Sequence, residues 1–154
     1  MLTASVVLFN TPRKQLDTLF ASVVNAGCVV RFYVIDNSPN DKWRILEKDY
    51  AACGVEIRYI HNENLGYGAS HNLAMQEAIE QGADYHVVLN PDIYFEANVL
   101  SELIRYGREH GCGVCFAACG IPERRAAIFV QAASHTCGFD FPTIFAKELG
   151  KEAR

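Results

Sequence analysis

Four short polar segments each follow an apolar run in the first two-thirds of the chain: Asn10-Thr11, Asp36-Asn37-Ser38, the stretch from Asn62 to Asn72, and Asn90-Pro91-Asp92. Each offers groups that can hold a polar ligand. A carboxylate such as Asp36, placed directly after a buried strand, can accept a hydrogen bond from the ring N–H of a uracil or thymine. It can equally close an Asx-turn or cap the next helix. The segment Asn62-Glu63-Asn64-Leu65-Gly66-Tyr67-Gly68-Ala69-Ser70-His71-Asn72 holds two glycines one residue apart. Glycines so spaced let the backbone pass close to a nucleotide and turn into a helix. The free N–H groups and dipole of that helix start favour an anion. Asn64 and Asn72 can bond a sugar or the local backbone, and a plain glycine loop at a helix start is the competing reading. Asn90-Pro91-Asp92 is a turn by composition. It also carries one carboxylate of the kind that, with substrate phosphates, holds a hard divalent cation.

These segments need elements to position them, and the pattern supplies them. Ala4 to Phe9 reads as a buried strand, with Thr11 as N-cap and Pro12 at the first position of a helix carrying Leu16, Leu19, Phe20 and Val23 to Gly27. Val30–Ile35 is a second strand, followed by a weaker helix over 43–52 and a glycine, Gly54. Val55–Ile60 is a third strand, leading through the glycine loop to a helix over Ala69–Gln81. Tyr85–Leu89 is a fourth, and a helix over Glu96–Glu109 follows. Alternation of this kind predicts an α/β fold, an open and mainly parallel sheet with helices on both faces. Ligands of such sheets bind beyond the carboxyl ends of the strands, where all four polar segments fall. His61, His71 and His86 share no metal-like spacing and read as ordinary core or surface residues.

The chain of 154 residues is half apolar and about a fifth charged, with a net charge of −4. That is globular composition, and no Lys/Arg cluster interleaves with aromatics, which argues against a nucleic-acid partner. The amino terminus lacks a signal-peptide pattern and no segment has the length of a membrane span. A cytoplasmic chain is expected, with work at the inner membrane surface compatible with it. The loop after the first strand lacks the glycines of a dinucleotide-dependent oxidoreductase.

In this order, the four segments resemble those of family 2 glycosyltransferases with the GT-A fold, and of the rhamnosyltransferase branch in particular. The matching runs are Val6-Val7-Leu8-Phe9-Asn10, Val34-Ile35-Asp36-Asn37-Ser38, Asn64-Leu65-Gly66-Tyr67-Gly68 through Asn72, and Val88-Leu89-Asn90-Pro91-Asp92-Ile93. The resemblance implies a nucleotide-sugar donor, dTDP-rhamnose or a UDP-sugar, and a glycan or lipid-linked acceptor in polysaccharide synthesis. It implies that Asn10, Asp36 and Asn64 hold base and ribose, and that Asp92 with Asn90 holds Mg²⁺ or Mn²⁺ on the diphosphate. The candidate nucleotide-sugar ligands are Asn10, Asp36, Asn37, Asn64, Gly66, Gly68, Asn72 and Asn90, with Asp92 for the metal. The signature usual for this job has aspartate where Asn90 stands, so one charge is missing.

The resemblance covers residues 5–112, a nucleotide-sugar-binding domain; residues 113–154 form an atypical tail that is not a separate domain. From Cys115 the strand–helix period dissolves into Cys, Ala and Arg, and Glu123 and Asp140 sit in no motif that marks a general base. A non-catalytic remnant or nucleotide-binding module is therefore the alternative to a transferase, and a missing half would leave apolar surface favouring self-association. Cys28 and Cys53 read as small hydrophobes. Cys112, Cys115, Cys119, Cys137 and His135 form the set for a rival zinc reading. The preferred explanation of the tail is a shifted reading frame. Permissible codons for Ala126 through Phe145, read one base later, give QQYLCKLLPTPADLIFRRF, which resembles the family's continuation. The nucleotide sequence of the gene is expected to show such a single-base shift, and a gene in which no shift restores the pattern rules it out.

Overall fold

The computed structural model describes residues 1–110, 114–121 and 124–132, the last two stretches by backbone alone. The chain runs β1 (Leu2–Leu8), α1 (Arg13–Ala26), β2 (Val29–Asp36), a 3-10 turn (Lys42–Ile45) passing into the short α2 (Leu46–Asp49), and β3 (Glu56–His61). It continues with α3 (Tyr67–Glu80), β4 (Tyr85–Leu89), α4 (Val99–His110), β5 (Val114–Ile121) and β6 (Arg124–Ala132). Among the described residues the strands form one sheet in the order β3-β2-β1-β4-β6-β5. The first four are parallel, with Val6 opposite Val34 on one side and Leu89 on the other. Among the described residues no helix is long and apolar enough to cross a membrane.

Strand alternation divides the core into two faces. Leu2, Ala4, Val6 and Leu8 of β1 join Phe32, Val34, Val87 and Leu89 against Leu16, Leu19, Phe20 and Val23 of α1 and Leu100 of α4. The expected stripe of α1 is thus the buried one, and each large side chain contributes roughly 1.5–3 kcal/mol by leaving water. Phe20 meets Phe32 edge-on, ring centroids 5.1 Å apart. Val7, Tyr33 and Ile35 point to the opposite face and pack on Ala74 and Ala78 of α3, whose small side chains bring the helix close to the sheet. Gly27 closes α1 in the left-handed region (φ 63°), its N–H bonded to the Val24 carbonyl at 3.1 Å.

Local differences from the sequence reading have physical causes. Pro12 rather than Thr11 occupies the N-cap of α1, because the Thr11 hydroxyl is turned back to accept the N–H of Phe9 at 3.3 Å. The helix expected over 43–52 is a 3-10 turn and one α-turn, anchored by buried Trp43 and Leu46. The glycine-loop helix begins at Tyr67, so Gly68 lies inside its first turn. Residues 114–121 and 124–132, almost all in the stretch from Cys115 where no period was legible, form β5 and β6 as an antiparallel pair, and β6 runs antiparallel to β4. The open edge of β4 gives that segment hydrogen-bond partners whatever its side-chain period. Cys28 and Cys53 are half-buried free thiols at the core margin, as expected. The zinc set and the carboxylates Glu123 and Asp140 lie outside the residues whose side chains are described.

On the α3 face, β1 contributes two small polar residues, Thr3 and Ser5, both fully buried. They serve two buried histidines. Thr3 Oγ1 lies 3.4 Å from the Tyr85 carbonyl, which can only accept, so its proton points there. Thr3 Oγ1 therefore accepts from His86 Nδ1–H at 2.8 Å, and His86 Nε2 accepts the Ser5 hydroxyl at 2.7 Å. Ser5 Oγ in turn accepts from His71 Nδ1–H at 2.8 Å. With the Thr3 proton on the Tyr85 carbonyl the chain runs in this direction with both rings neutral, and burial pushes each histidine down to about 3, with the neighbouring His86 a second cause for His71. An unfolded histidine titrates near 6.5, so below that pH the unfolded state takes up protons the folded state refuses. Folding stability is therefore undiminished above pH 6.5 and declines as pH falls toward 3, by at most about 1.4 kcal/mol per histidine per pH unit. Thermal melts between pH 7.5 and 5 are expected to show the melting temperature falling with pH, and His86→Gln to flatten that slope.

Candidate functional site

The parallel strands end along one rim, and the loops leaving them are tied together there. The Asn37 N–H continues the ladder to the Leu8 carbonyl at 2.9 Å, and the Asn62 N–H does so to the Asp36 carbonyl at 3.1 Å. Asn10, at φ 50°, donates its N–H to Ser38 Oγ at 2.9 Å. A positive φ is tolerated by asparagine better than by most residues, and here it turns the chain off the strand while keeping its amide on the neighbouring loop. The Asn10 side chain is left exposed.

Asp36 is fully buried. Its Oδ1 accepts the Ser38 N–H at 3.0 Å, the Asx-turn, and its Oδ2 accepts the Tyr59 hydroxyl at 2.8 Å. Burial and then this carboxylate hold the Tyr59 phenol above its ordinary range. Asn37 is also buried, and its amide is the hub of an asparagine cluster. Its Oδ1 accepts from Asn62 Nδ2 at 3.2 Å, and its Nδ2 donates to Ser70 Oγ at 2.8 Å and Asn64 Oδ1 at 3.4 Å. Asn64 Oδ1 also accepts the Gly66 N–H at 3.1 Å, while the residue itself is exposed. Gly66 caps α3 at φ 86°, ψ 164°, a region essentially reserved for glycine. Asn72 lies in the second turn of α3, with its buried Oδ1 unpartnered among the described residues.

The loops after β1, β2 and β3 border an open cavity of about 500 Å³ lined by Phe9, Asn37, Ser38, Pro39 and residues 61–64. Phe9 is 56% exposed over it. His61 Nε2 donates to the Ser38 carbonyl at 2.9 Å, holding the β2 and β3 loops together. Asn90 and Asp92, after β4, do not line this cavity. Tyr67 connects the glycine loop to them: its hydroxyl donates to Asn90 Oδ1 at 2.5 Å and its ring meets His71 edge-on at 4.4 Å. Tyr67 is 42% exposed; partial burial of its phenol, and then the Asp92 carboxylate, raise it to about 12. The rim is therefore a cavity at the β1–β3 loops and a polar corner at β4, joined by the start of α3.

Among the described residues no three His, Cys, Asp or Glu side chains form a metal-binding group. Asp92 gives one carboxylate, and the Asn90 oxygen is engaged by Tyr67. This donor set fits a hard cation only where a ligand's own phosphates complete the coordination. Residues not singled out from sequence include Phe9, Asn62 and Tyr67. Phe9 read as the last residue of a buried run, and its exposure comes from β1 ending at Leu8. An aromatic between two glycines was the available signal for Tyr67.

An open α/β sheet with a cleft beyond the carboxyl ends of its strands is a general ligand-binding architecture, and here similarity to known proteins narrows it to a GT-A-like glycosyltransferase fold. The sequence matches the family described as Glycosyl transferase family 2 over residues 3–133, beyond the limit near Cys112 read from motifs. The chain belongs to that family. No curated protein matches it. Among solved structures it is similar to the S. aureus TarS fragment in complex with UDP-GlcNAc (TM-score 0.64, 19% identity, 80% of this chain and 36% of that one). It is also similar to the mannosyltransferase PcManGT from Pyrobaculum calidifontis in complex with GDP-Man and Mn²⁺ (TM-score 0.58, 13% identity, 69% and 32%). The chain thus spans about a third of the length of these structures, and at such identities the likeness is one of fold.

The backbone at Gly66 generates a direct prediction. Nothing lies within 4 Å of a Cβ built there, so the conformation alone opposes a side chain. Gly66→Ala is expected to cost about 1–3 kcal/mol in urea unfolding, whereas Gly68→Ala, at a helical position, escapes that strain and gains alanine's higher helix propensity.

Proposed function

We propose that this chain is the donor-binding half of a sugar transferase, holding a UDP- or dTDP-linked sugar for transfer to an acceptor hydroxyl. The resemblance of its motifs favours rhamnose as the sugar and a glycan or lipid-linked acceptor in polysaccharide synthesis. The observation that carries the reading is the cavity between Phe9, Asn37 and the 61–64 loop, set beside the Asn90–Asp92 corner. A pyrimidine base fits such a cleft, with the exposed Phe9 ring as an apolar surface and the asparagine side chains as amide partners for its imide edge. Asp36, turned inward, shapes the cleft through Ser38 and Tyr59. Asn10, Asn64 and the backbone around Gly66 and Gly68 line the route from base to phosphates. Asn72 carries an unpartnered acceptor in the helix behind it.

At the diphosphate, Asp92 would hold Mg²⁺ or Mn²⁺ together with phosphate oxygens, and the cation would offset the charge that grows on the leaving diphosphate. The first N–H groups of α3 point toward anions by the same electrostatics. The chain's own task in this reading is to bind the donor and aim its diphosphate. The group that deprotonates the acceptor is not among the residues assigned here.

Thermal-shift titration with UDP and with dTDP tests the reading. Ligand that binds only the folded state stabilises by mass action, about 2.7 kcal/mol at a hundredfold excess over Kd. With Mn²⁺ a dose-dependent rise is expected, reduced in both Asp92→Ala and Phe9→Ala. A folded protein that shifts with neither nucleotide would favour the non-catalytic remnant.

A further inference from the structure

The corner after β4 contains an asparagine whose oxygen is already in use. Asn90 Oδ1 receives the Tyr67 hydroxyl at 2.5 Å. An amide has one acceptor end and one donor end, and occupying the first leaves the second to face elsewhere. The phenol that does this is itself held. Tyr67 is the first residue of α3, immediately after the glycine-only turn at Gly66. Its ring meets His71 at 4.4 Å and 72°, and His71 is fully buried and bonded to Ser5 of the central strand. The sheet thus positions a histidine, the histidine the tyrosine ring, and the tyrosine the asparagine amide.

We propose that Tyr67 is a positioning residue that fixes Asn90 as a neutral hydrogen-bond donor to the diphosphate oxygens, so that the site retains nucleoside diphosphate without a divalent cation. The inference rests on the donor-site reading and deepens it. Two carboxylates at this corner would repel a diphosphate unless a cation intervened; one carboxylate beside an oriented NH₂ group repels it less and offers it a partner. A bond from a neutral donor to a charged phosphate belongs to the stronger class of hydrogen bonds. Asp92 remains the residue through which an added cation strengthens binding.

The test is isothermal titration of the full chain with UDP and dTDP, in EDTA and in Mn²⁺, for the wild type, Tyr67→Phe and Asn90→Asp. Wild type is expected to bind in EDTA. Tyr67→Phe keeps the ring on His71, and so the fold, but frees the amide; binding in EDTA should weaken about tenfold, the loss of one charge-assisted bond. Asn90→Asp should weaken at least as much in EDTA and recover with Mn²⁺. The Asn90 side-chain amide signal in a ¹H–¹⁵N spectrum should shift on nucleotide addition in EDTA for wild type, and shift less for Tyr67→Phe at equal saturation. Tyr67→Phe binding in EDTA as wild type does, or Asn90→Asp doing so, overturns the proposal. Wild type that binds only with Mn²⁺ overturns it while leaving the donor-site reading in place; wild type that binds neither nucleotide under any condition overturns both.

Discussion

The parallel pairing of β1 with β2 on one side and β4 on the other determines where the polar loops end. Register places Leu8 opposite Asp36 and Val6 opposite Leu89. The strands therefore finish near one level, and Asn10, Asn37 and Asn90 emerge along one rim although the chain separates them widely. The backbone extends this arrangement past the strands, through the bonds from Asn37 to Leu8 and from Asn62 to Asp36. A one-residue slip of β1 would exchange its two faces, setting Thr3 and Ser5 against α1 and Val6 against α3. Both the apolar core and the histidine chain would then be lost.

The two faces of β1 are used differently. Toward α1 and α4 it shows only aliphatic side chains, the usual source of stability. Toward α3 it shows Thr3, Ser5 and Val7, and the helix answers with Ser70, His71, Ala74 and Ala78. Buried polar groups are costly unless bonded, and here Thr3, Ser5, Ser70 and His86 are bonded while the Tyr33 hydroxyl and Asn72 Oδ1 have no hydrogen-bond partner among the described residues. His71 Nε2 is likewise unpartnered among the described residues. An orphaned acceptor of this kind costs about 1–3 kcal/mol, and the residue bearing it is the one against which Tyr67 rests. Stability is thus reduced at the place where the aromatic bridging the two parts of the rim is oriented.

Much of the fold was legible because its signals are local. The apolar runs of β1 to β4, the helical spacing of Leu16, Leu19, Phe20 and Val23, and the glycine at 27 each report on neighbouring residues. The pairing of β6 with β4 was not legible, since it depends on an open edge far away in the chain. The extent of α2 was obscured for a similar reason, as Trp43 and Leu46 are buried by tertiary packing and not by helical period. Within the site, position on the rim could be read while side-chain direction could not. Asp36 lies where a strand end should place it, yet its carboxylate turns inward to Ser38 and Tyr59. A dipeptide pattern contains no information about Tyr59, which arrives from another strand.

The stretch from Asn64 to His71 joins these levels. Asn64 closes the asparagine cluster beside the cavity, Gly66 supplies a turn that other residues strain to adopt, and Tyr67 reaches across to Asn90. His71, one helical turn later, returns the segment to the central strand. Rigidity at one end of this segment is therefore transmitted to the other through bonded neighbours rather than through the loop backbone alone. In the proposed reading, a nucleoside diphosphate spanning both the cavity and the corner would meet two groups of side chains already tied together by the Asn64–His71 segment. Less conformational freedom is then lost on binding than if each loop had to be ordered separately. An aromatic between two glycines suits this purpose, since the first glycine sets the angle and the ring supplies the reach.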